Sequence, residues 1–205
     1  MKNDAIIFDL DGTLWDATSA TAKGWNEALK ILGSDKSLTS EDIRSVTGNP
    51  QEVCIDTLLP GMSGKYRDFV EYLTKYELMA IKQEGGKLYE EVQNIIPFLA
   101  SKYPLFIVSN CEEWYLDLFF KKYDLKKYFN GTDCFGKSKK AKSVMIRELT
   151  TQYNLKTAVY VGDTVSDQKA AIGAGVDFIF CAYGFGIIEN PPTSINSFRD
   201  LHKLL

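Results

Sequence analysis

The sequence predicts an α/β protein built on an open parallel sheet, with an all-helical insertion. Four short apolar segments, each closed by polar or small residues, are typical of buried parallel strands. Helical patterns separate the last three segments, and this alternation favours right-handed crossovers within one sheet. The long interval after the first segment contains amphipathic helical patterns and no convincing strand. We therefore expect an insertion at that point.

The individual elements follow from these patterns in chain order. The predicted strands are Ala5–Phe8, Leu105–Val108, Ala158–Val161 and Phe178–Cys181. The helical patterns between the last three strands cover Trp114–Lys122, Val144–Gln152 and Ser166–Ala174. From about Trp15 to Ile81 we expect helices only, and Gly85 and Gly86 mark the return to the sheet. The expected division is a core of residues 1–14 and 86–205 and a helical domain of residues 15–85.

Composition and charge argue against several classes of function. The 205 residues are 45% hydrophobic and 25% charged, with 24 Lys and Arg against 27 Asp and Glu. The net charge of -3 does not favour nucleic acid, and no apolar run approaches the ~20 residues that a membrane span needs. The start of the chain lacks a signal-peptide pattern, so we expect a cytoplasmic protein.

The cysteines and the histidine exclude further kinds of metal site and catalytic group. The four cysteines are widely spaced without a C-x-x-C pair, which favours free thiols over disulfides. They are Cys54, Cys111, Cys134 and Cys181. The single histidine, His202, cannot build a histidine-rich metal site or a Ser-His triad. Any catalysis must therefore rest on carboxylates, hydroxyls, amides and lysines.

The residues that close the first three predicted strands are polar. Ligands of a parallel α/β sheet bind beyond the carboxyl ends of its strands, so we expect these residues to converge on one edge. Asp9 and Asp11 are two residues apart, and an extended backbone aims both side chains to the same side. Gly12 then allows the chain to turn sharply away. The converging residues are Asp9, Asp11, Ser109, Asn110, Asp163 and Asp167.

Crowded carboxylates repel one another and raise one another's pKa unless a cation lies among them. The cation that matches a few hard oxygen ligands, completed by water and phosphate, is Mg²⁺. Ser109 and the amides after it are suited to phosphate oxygens, and a lysine would neutralise a transferring phosphoryl group. Taken singly, the stretches at Asp9 and Ser109 more often indicate a helix cap or a turn, and the one at Asp163 indicates a capped helix as readily as a site. Their joint occurrence, each at a strand end, favours a site.

These stretches resemble the four motifs of the haloacid dehalogenase-like (HAD) hydrolase superfamily. The matching segments are FDLDGTL, VSN, the lysine cluster and VGDTVSD, in that order. The helical insertion is similar to the cap of the phosphoglycolate phosphatase-like branch. The resemblance implies a Rossmann-like core with a mobile helical cap, and Mg²⁺-dependent hydrolysis of a small phosphate monoester.

The resemblance also implies a role for each residue. Asp9 is expected to be the nucleophile that forms an aspartyl-phosphate, and Asp11 the general acid and then base. Dehalogenases of the superfamily carry a tyrosine at position 11, so Asp11 points to phosphate release. The expected Mg²⁺ ligands are Asp9, Asp163 and the backbone carbonyl of Asp11, with Asp167 acting through water or through a ligand. Ser109 and the amide of Asn110 are expected to bind the phosphoryl oxygens.

The family pattern does not identify which lysine acts at the site, because its usual Lys-Pro-x-Pro is replaced here by FGKSKKAKSVMI. The candidates are Lys137, Lys139, Lys140 and Lys142. Counting back from Val144, taken as the first apolar residue of the helix, favours Lys139, with Lys140 next. We therefore expect Lys139→Ala to lower turnover by orders of magnitude and Lys142→Ala to change it little.

The substrate contacts and the competing functions remain open at this point. The stretch from Thr47 to Pro50, with Gly48 as the expected contact, is either a specificity loop or a plain helix-breaking turn. The segment from Tyr183 to Gly186 is either the rim of the site or an ordinary loop. The alternatives to a phosphatase are a phosphomutase, a phosphonate hydrolase, or a catalytically silent binding or regulatory protein. The expected partner is a small phosphate ester, with no nucleic acid or membrane, for a monomer or homodimer.

Overall fold

The computed structural model describes residues 3–204. The strands are β1 (Ala5–Phe8), β2 (Trp15–Asp16), β3 (Lys87–Leu88), β4 (Leu105–Ser109), β5 (Gly131–Cys134), β6 (Ala158–Gly162), β7 (Asp177–Cys181) and β8 (Ser194–Ile195). The helices are α1 (Thr18–Ile31), α2 (Ser40–Val46), α3 (Gln51–Leu58), α4 (Met62–Lys65), α5 (Phe69–Gln83), α6 (Val92–Ala100), α7 (Glu113–Tyr123), α8 (Phe135–Ser138), α9 (Lys142–Gln152), α10 (Val165–Ala174) and α11 (Leu201–Leu204).

Six strands form one parallel sheet in the order β5-β4-β1-β6-β7-β8. The central strand β1 pairs with β4 on one side and β6 on the other, so that Ile7 lies between Phe106 and Tyr160. Because all three strands run the same way, the residues that follow them emerge side by side at one edge. The predicted α/β class, with a Rossmann-like parallel sheet, is confirmed.

The four predicted strands are all present, with ends that differ by at most one residue. The sequence patterns missed β5 and β8, which form the two edges of the sheet. Most residues of β5 are only half-buried, so the segment lacks the apolar run that marks a central strand. The expectation of no strand after Trp15 is wrong for two residues, because β2 pairs antiparallel with β3.

The three predicted helices of the core are observed as α7, α9 and α10. Each begins one or two residues earlier than its apolar pattern indicates. The helix α6, which contains Pro97, was not predicted. Between β2 and β3 lie the five helices α1 to α5, in agreement with the expected helical insertion. The division into two domains at residues 15 and 85 stays a prediction.

The apolar residues form separate clusters on the two faces of the sheet and within the insertion. The insertion is organised around Trp25, Leu29, Ile55, Phe69 and Leu73, all nearly or fully buried. An apolar cluster of its own gives the insertion internal stabilisation that does not depend on the sheet. Within the described residues, every helix is too short or too polar to cross a bilayer. The four cysteines are free.

Candidate active site

The first motif leaves β1 and turns sharply at Gly12. Asp9 is buried, and its backbone N–H donates to the carbonyl of Val161, so it continues the ladder with β6. Gly12 adopts a positive φ of 76°, and a Cβ added there would lie 2.0 Å from Oδ2 of Asp163. Only glycine combines this backbone conformation with such a close approach. Gly12 therefore allows the first motif to lie directly against Asp163.

Asp163 and Asp167 are fixed at the end of β6 and the start of α10. Oδ2 of Asp163 accepts a hydrogen bond from the backbone N–H of Phe185, at 2.7 Å. Asp167 forms a capping box with Thr164, because its Oδ2 accepts from the Thr164 N–H at 3.0 Å and its own N–H donates to Thr164 Oγ1 at 3.2 Å. Helix capping therefore sets the position of the Asp167 carboxylate.

The carboxylates of Asp9, Asp163 and Asp167 form one buried group. Each contributes an oxygen atom, and these atoms lie within 4.8 Å of one another. Burial raises the pKa of Asp9 to about 6, with Lys142 opposing this shift and Asp167 adding to it. Burial, with Asp167 and Asp9, also raises the pKa of Asp163. The raised pKa values of Asp9 and Asp163 therefore reflect the free-energy cost of ionising carboxylates that are buried close together.

The donor set fits a hard divalent cation such as Mg²⁺. Oδ1 of Asp9 is buried and has the ammonium of Lys142 at 3.1 Å, but among the described residues 3–204 no donor reaches it with hydrogen-bond geometry. The carboxylates of Asp9, Asp163 and Asp167 surround one ammonium, that of Lys142. Two negative charges therefore remain uncompensated when all four groups are ionised. The carboxylate of Asp11 stands apart from this group, so a metal contact from Asp11 would have to come from its backbone carbonyl.

The lysine at the site is Lys142, and the sequence-based choice of Lys139 is corrected. Nζ of Lys142 is buried and lies 2.6 Å from Asp167 Oδ1 and 3.1 Å from Asp9 Oδ1. The side chain of Lys139 is exposed and lies 3.4 Å from Glu112. The count failed because α9 begins at Lys142 itself, two residues before Val144. Burial opposes the charge of Lys142, but Asp167 and Asp9 outweigh it and raise its pKa.

Asp11 faces a different partner, the hydroxyl of Tyr115 on α7. The Tyr115 hydroxyl donates a hydrogen bond to Oδ1 of Asp11. Burial raises the pKa of Asp11 to about 8, the Tyr115 hydrogen bond opposes the shift, and the charge of Asp9 adds to it. A carboxyl with such a pKa can both give and take a proton near neutrality. Tyr115 was missed because an aromatic residue in a helical pattern indicates only packing.

The second motif meets the helical insertion at Gly48. Ser109 is buried at the end of β4, and the side-chain amide of Asn110 donates to the carbonyl of Gly48 at 2.7 Å. Gly48 has a positive φ of 96°. The structure thus brings the predicted residues Ser109, Asn110 and Gly48 together. The contact made by Gly48 is with the core through its backbone carbonyl.

The segment from Tyr183 to Gly186 packs against Asp163. A Cβ added at Gly184 would lie 2.3 Å from the Cβ of Asp163, and one at Gly186 would lie 2.3 Å from its carbonyl oxygen. The hydroxyl of Tyr183 donates to the carbonyl of Thr13 at 2.8 Å. The two glycines therefore allow this segment to pack closely against Asp163. Neither interpretation of the sequence, the rim of the site or an ordinary loop, included this role.

A cavity of about 80 Å³ lies between the sheet edge and the insertion. Asp9, Asp11 and Ser109 line one wall. Residues of α1, α3 and α5 line the opposite wall, including Trp25 and Glu77. The nucleophile, acid and hydroxyl expected from the sequence thus line one small, partly open cavity, which suits a small substrate.

The parallel sheet and the buried carboxylates at its edge define a hydrolase that uses carboxylates as its reactive groups. The comparison with known protein families agrees with this class. A family model described as haloacid dehalogenase-like hydrolase matches residues 6–181, so the chain belongs to that family. Within the family it is a phosphatase similar to the phosphoglycolate phosphatases. The family resemblance and the enzyme class inferred from the sequence are confirmed.

Curated relatives match over nearly the whole chain. A phosphoglycolate phosphatase of Aquifex aeolicus is 27% identical over 208 residues, which cover 98% of this chain and 95% of that protein. One of Photorhabdus laumondii is 24% identical over 212 residues, which cover 96% of this chain and 90% of that protein.

Solved structures share the fold. The crystal structure of a predicted phosphoglycolate phosphatase from Haemophilus somnus superposes with a TM-score of 0.87 at 22% identity, covering 100% of this chain and 98% of that chain. A haloacid dehalogenase-like family hydrolase from Streptococcus pneumoniae gives 0.80 at 23% identity and 99% coverage of both chains.

The position of Lys142 reverses the expected ranking of lysine variants. Lys142→Ala is expected to lower turnover at least about a hundredfold, because it removes the buried positive charge beside Asp9. The matched variant Lys139→Ala removes an exposed ammonium that pairs with Glu112 and lies over the ring of Phe135, and it is expected to stay near wild type. Initial rates on a chromogenic phosphate ester, with circular dichroism to establish the folded fraction, measure both. A larger loss in Lys139→Ala would contradict the assignment.

The raised pKa values of Asp9 and Asp11 predict a pH-dependent stability of the metal-free protein. A carboxyl with a pKa higher in the folded than in the unfolded chain stabilises at low pH, and this contribution is lost as the pH rises through the folded values of about 6 and about 8. In EDTA, the free energy of unfolding should therefore fall between pH 5 and 8. The slope is about 1.4 kcal/mol per pH unit for each such group.

Chemical denaturation across this pH range, with and without Mg²⁺, measures the effect. Mg²⁺ should restore stability at pH 8, because it binds the ionised folded form. Asp11→Asn should flatten the slope, whereas Asp117→Asn on the exposed face of α7 should keep it. A rise in stability with pH in EDTA would contradict the assigned environment of these carboxyls.

Proposed function

We propose that this protein is a Mg²⁺-dependent phosphatase that hydrolyses a small phosphate monoester through an aspartyl-phosphate on Asp9. The observation that carries the proposal is the buried carboxylate of Asp9. Asp9 lines the cavity, and its Oδ1 lies 3.1 Å from Nζ of Lys142. A carboxylate in this position is available to attack a phosphorus atom held in the cavity.

In the first step, an oxygen of Asp9 forms a bond to phosphorus while the bond to the leaving alcohol breaks. Asp11 gives its proton to the leaving oxygen and becomes a carboxylate. In the second step, water attacks the aspartyl-phosphate, Asp11 takes a proton from that water, and inorganic phosphate leaves as Asp9 is regenerated. The Tyr115 hydroxyl orients Asp11 for both transfers. The raised pKa of Asp11 suits a group that alternates between acid and base.

The remaining residues bind and orient the phosphoryl group. Ser109 and the backbone amide of Asn110 are placed to donate to its oxygens, and the ammonium of Lys142 offsets negative charge beside Asp9. Asp167 holds Lys142 through the 2.6 Å contact and is a positioning residue. Mg²⁺, held by Asp9, Asp163 and the backbone carbonyl of Asp11, would neutralise charge between the nucleophile and the phosphoryl oxygens.

The alternative activities have less support from the cavity. A phosphonate hydrolase of this superfamily is expected to use a lysine of the cap for a Schiff base. Across residues 3–204, none of the residues that line the cavity is a lysine. A catalytically silent protein is expected to have lost one of the acids, and Asp9, Asp11 and Asp163 are all present at the sheet edge.

Hydrolysis of p-nitrophenyl phosphate tests the proposal. The wild-type protein should release p-nitrophenol with Mg²⁺ and not with EDTA. Asp9→Asn should lower the rate by at least about a thousandfold, because the amide cannot act as the nucleophile. The control Asp117→Asn makes the same chemical change at an exposed position of α7 and should behave as wild type. Equal rates for Asp9→Asn and wild type would rule out the aspartyl-phosphate route.

A further inference from the structure

The wall of the cavity that faces the sheet edge contains a buried carboxylate that the mechanism does not use. Glu77 lies on α5, is 6% exposed and lines the cavity. Its Oε2 accepts hydrogen bonds from Trp25 Nε1 at 3.0 Å and Gln51 Nε2 at 2.8 Å. Its Oε1 accepts one from Thr21 Oγ1 at 3.2 Å. Burial raises the pKa of Glu77, whereas the three hydrogen bonds oppose this shift and favour the ionised carboxylate.

No cation from the same wall offsets this charge. Of the described residues that line the cavity, none is Lys, Arg or His. Lys142 lies behind Asp9 and is engaged by two carboxylates on the phosphoryl side. Arg44, on α2, lies outside the lining, and its guanidinium is 2.6 Å from Asp16. A substrate whose phosphoryl group lies at Asp9 therefore extends its leaving group towards an uncompensated negative charge.

We propose that Glu77 selects phosphate monoesters whose leaving group is neutral or cationic and carries a hydrogen-bond donor, and that it disfavours leaving groups with a carboxylate. This inference rests on the proposed function and assigns the substrate class of that site. Two carboxylates brought together in a cavity that is partly closed off from solvent repel each other. A hydroxyl or ammonium group can instead donate to Oε1 of Glu77, which accepts a single hydrogen bond from the described protein.

The proposed substrate class differs from the substrate for which the relatives of this chain are named. Phosphoglycolate carries a carboxylate at the position where 2-hydroxyethyl phosphate carries a hydroxymethyl group and O-phosphoethanolamine an aminomethyl group. The three compounds share size and phosphate and differ in the charge of one end. They are therefore a matched series for the wall that contains Glu77.

The first experiment compares kcat/KM of the wild-type enzyme with Mg²⁺ on this series. Both 2-hydroxyethyl phosphate and O-phosphoethanolamine should exceed 2-phosphoglycolate by at least about tenfold. If 2-phosphoglycolate matches or exceeds either compound while p-nitrophenyl phosphate is hydrolysed with Mg²⁺, the inference is overturned and the proposed function stands. If p-nitrophenyl phosphate is not hydrolysed at all, both fail.

The second experiment assigns the preference to Glu77. Glu77→Gln removes the charge and keeps the shape of the side chain, so the ratio of kcat/KM for 2-phosphoglycolate to that for O-phosphoethanolamine should rise at least about tenfold. A ratio within one protein is independent of the fraction that is folded. Glu71→Gln, at an exposed position on the same helix, should keep the wild-type ratio. An unchanged ratio in Glu77→Gln would show that Glu77 is structural only.

Discussion

The buried ammonium of Lys142 is the contact on which the site depends, because it bridges two carboxylates that would otherwise repel. Its Nζ lies 3.1 Å from Asp9 and 2.6 Å from Asp167. Removing one partner of such a buried arrangement leaves uncompensated charge, at a cost of about 3–5 kcal/mol. A single ammonium cannot balance Asp9, Asp163 and Asp167 together. Burial and the remaining negative charge of Asp167 together hold the pKa of Asp9 above its usual value.

The topology of the sheet creates this crowding. The strand β1 lies between β4 and β6, so the residues after these three strands meet although they are spread from position 9 to position 163 of the sequence. The turn at Gly12 then presses the first motif against Asp163, where even a methyl group would clash. Apolar burial on both faces of the sheet stabilises the strands, and this stabilisation offsets the repulsion at their ends. The apolar core therefore stabilises the sheet edge on which the mutually repelling carboxylates lie.

The central strands and the carboxylate motifs could be predicted because each has a local signal. A buried parallel strand is a continuous apolar run, and Asp9 or Asp163 follows such a run directly. The edge strands β5 and β8 are short or half-buried and lack that signal. Lys142 was among the four candidate lysines but was ranked below Lys139, because polar residues open α9 and its first apolar residue is therefore not its start. Tyr115 and Glu77 act through partners distant in sequence, and no local pattern distinguishes them from packing residues.

The position of Glu77 follows from a close approach of two helices. A Cβ added at Gly24 of α1 would lie 2.6 Å from the backbone of Tyr76 and Glu77 on α5, so glycine lets the two helices meet backbone to backbone. This approach brings Thr21 and Trp25 of α1 within hydrogen-bond distance of the Glu77 carboxylate. Helix packing, and not a loop, therefore fixes the charge in the cavity wall. A charge held in this way acts on a leaving group at a defined position, which is the condition for selectivity by electrostatics.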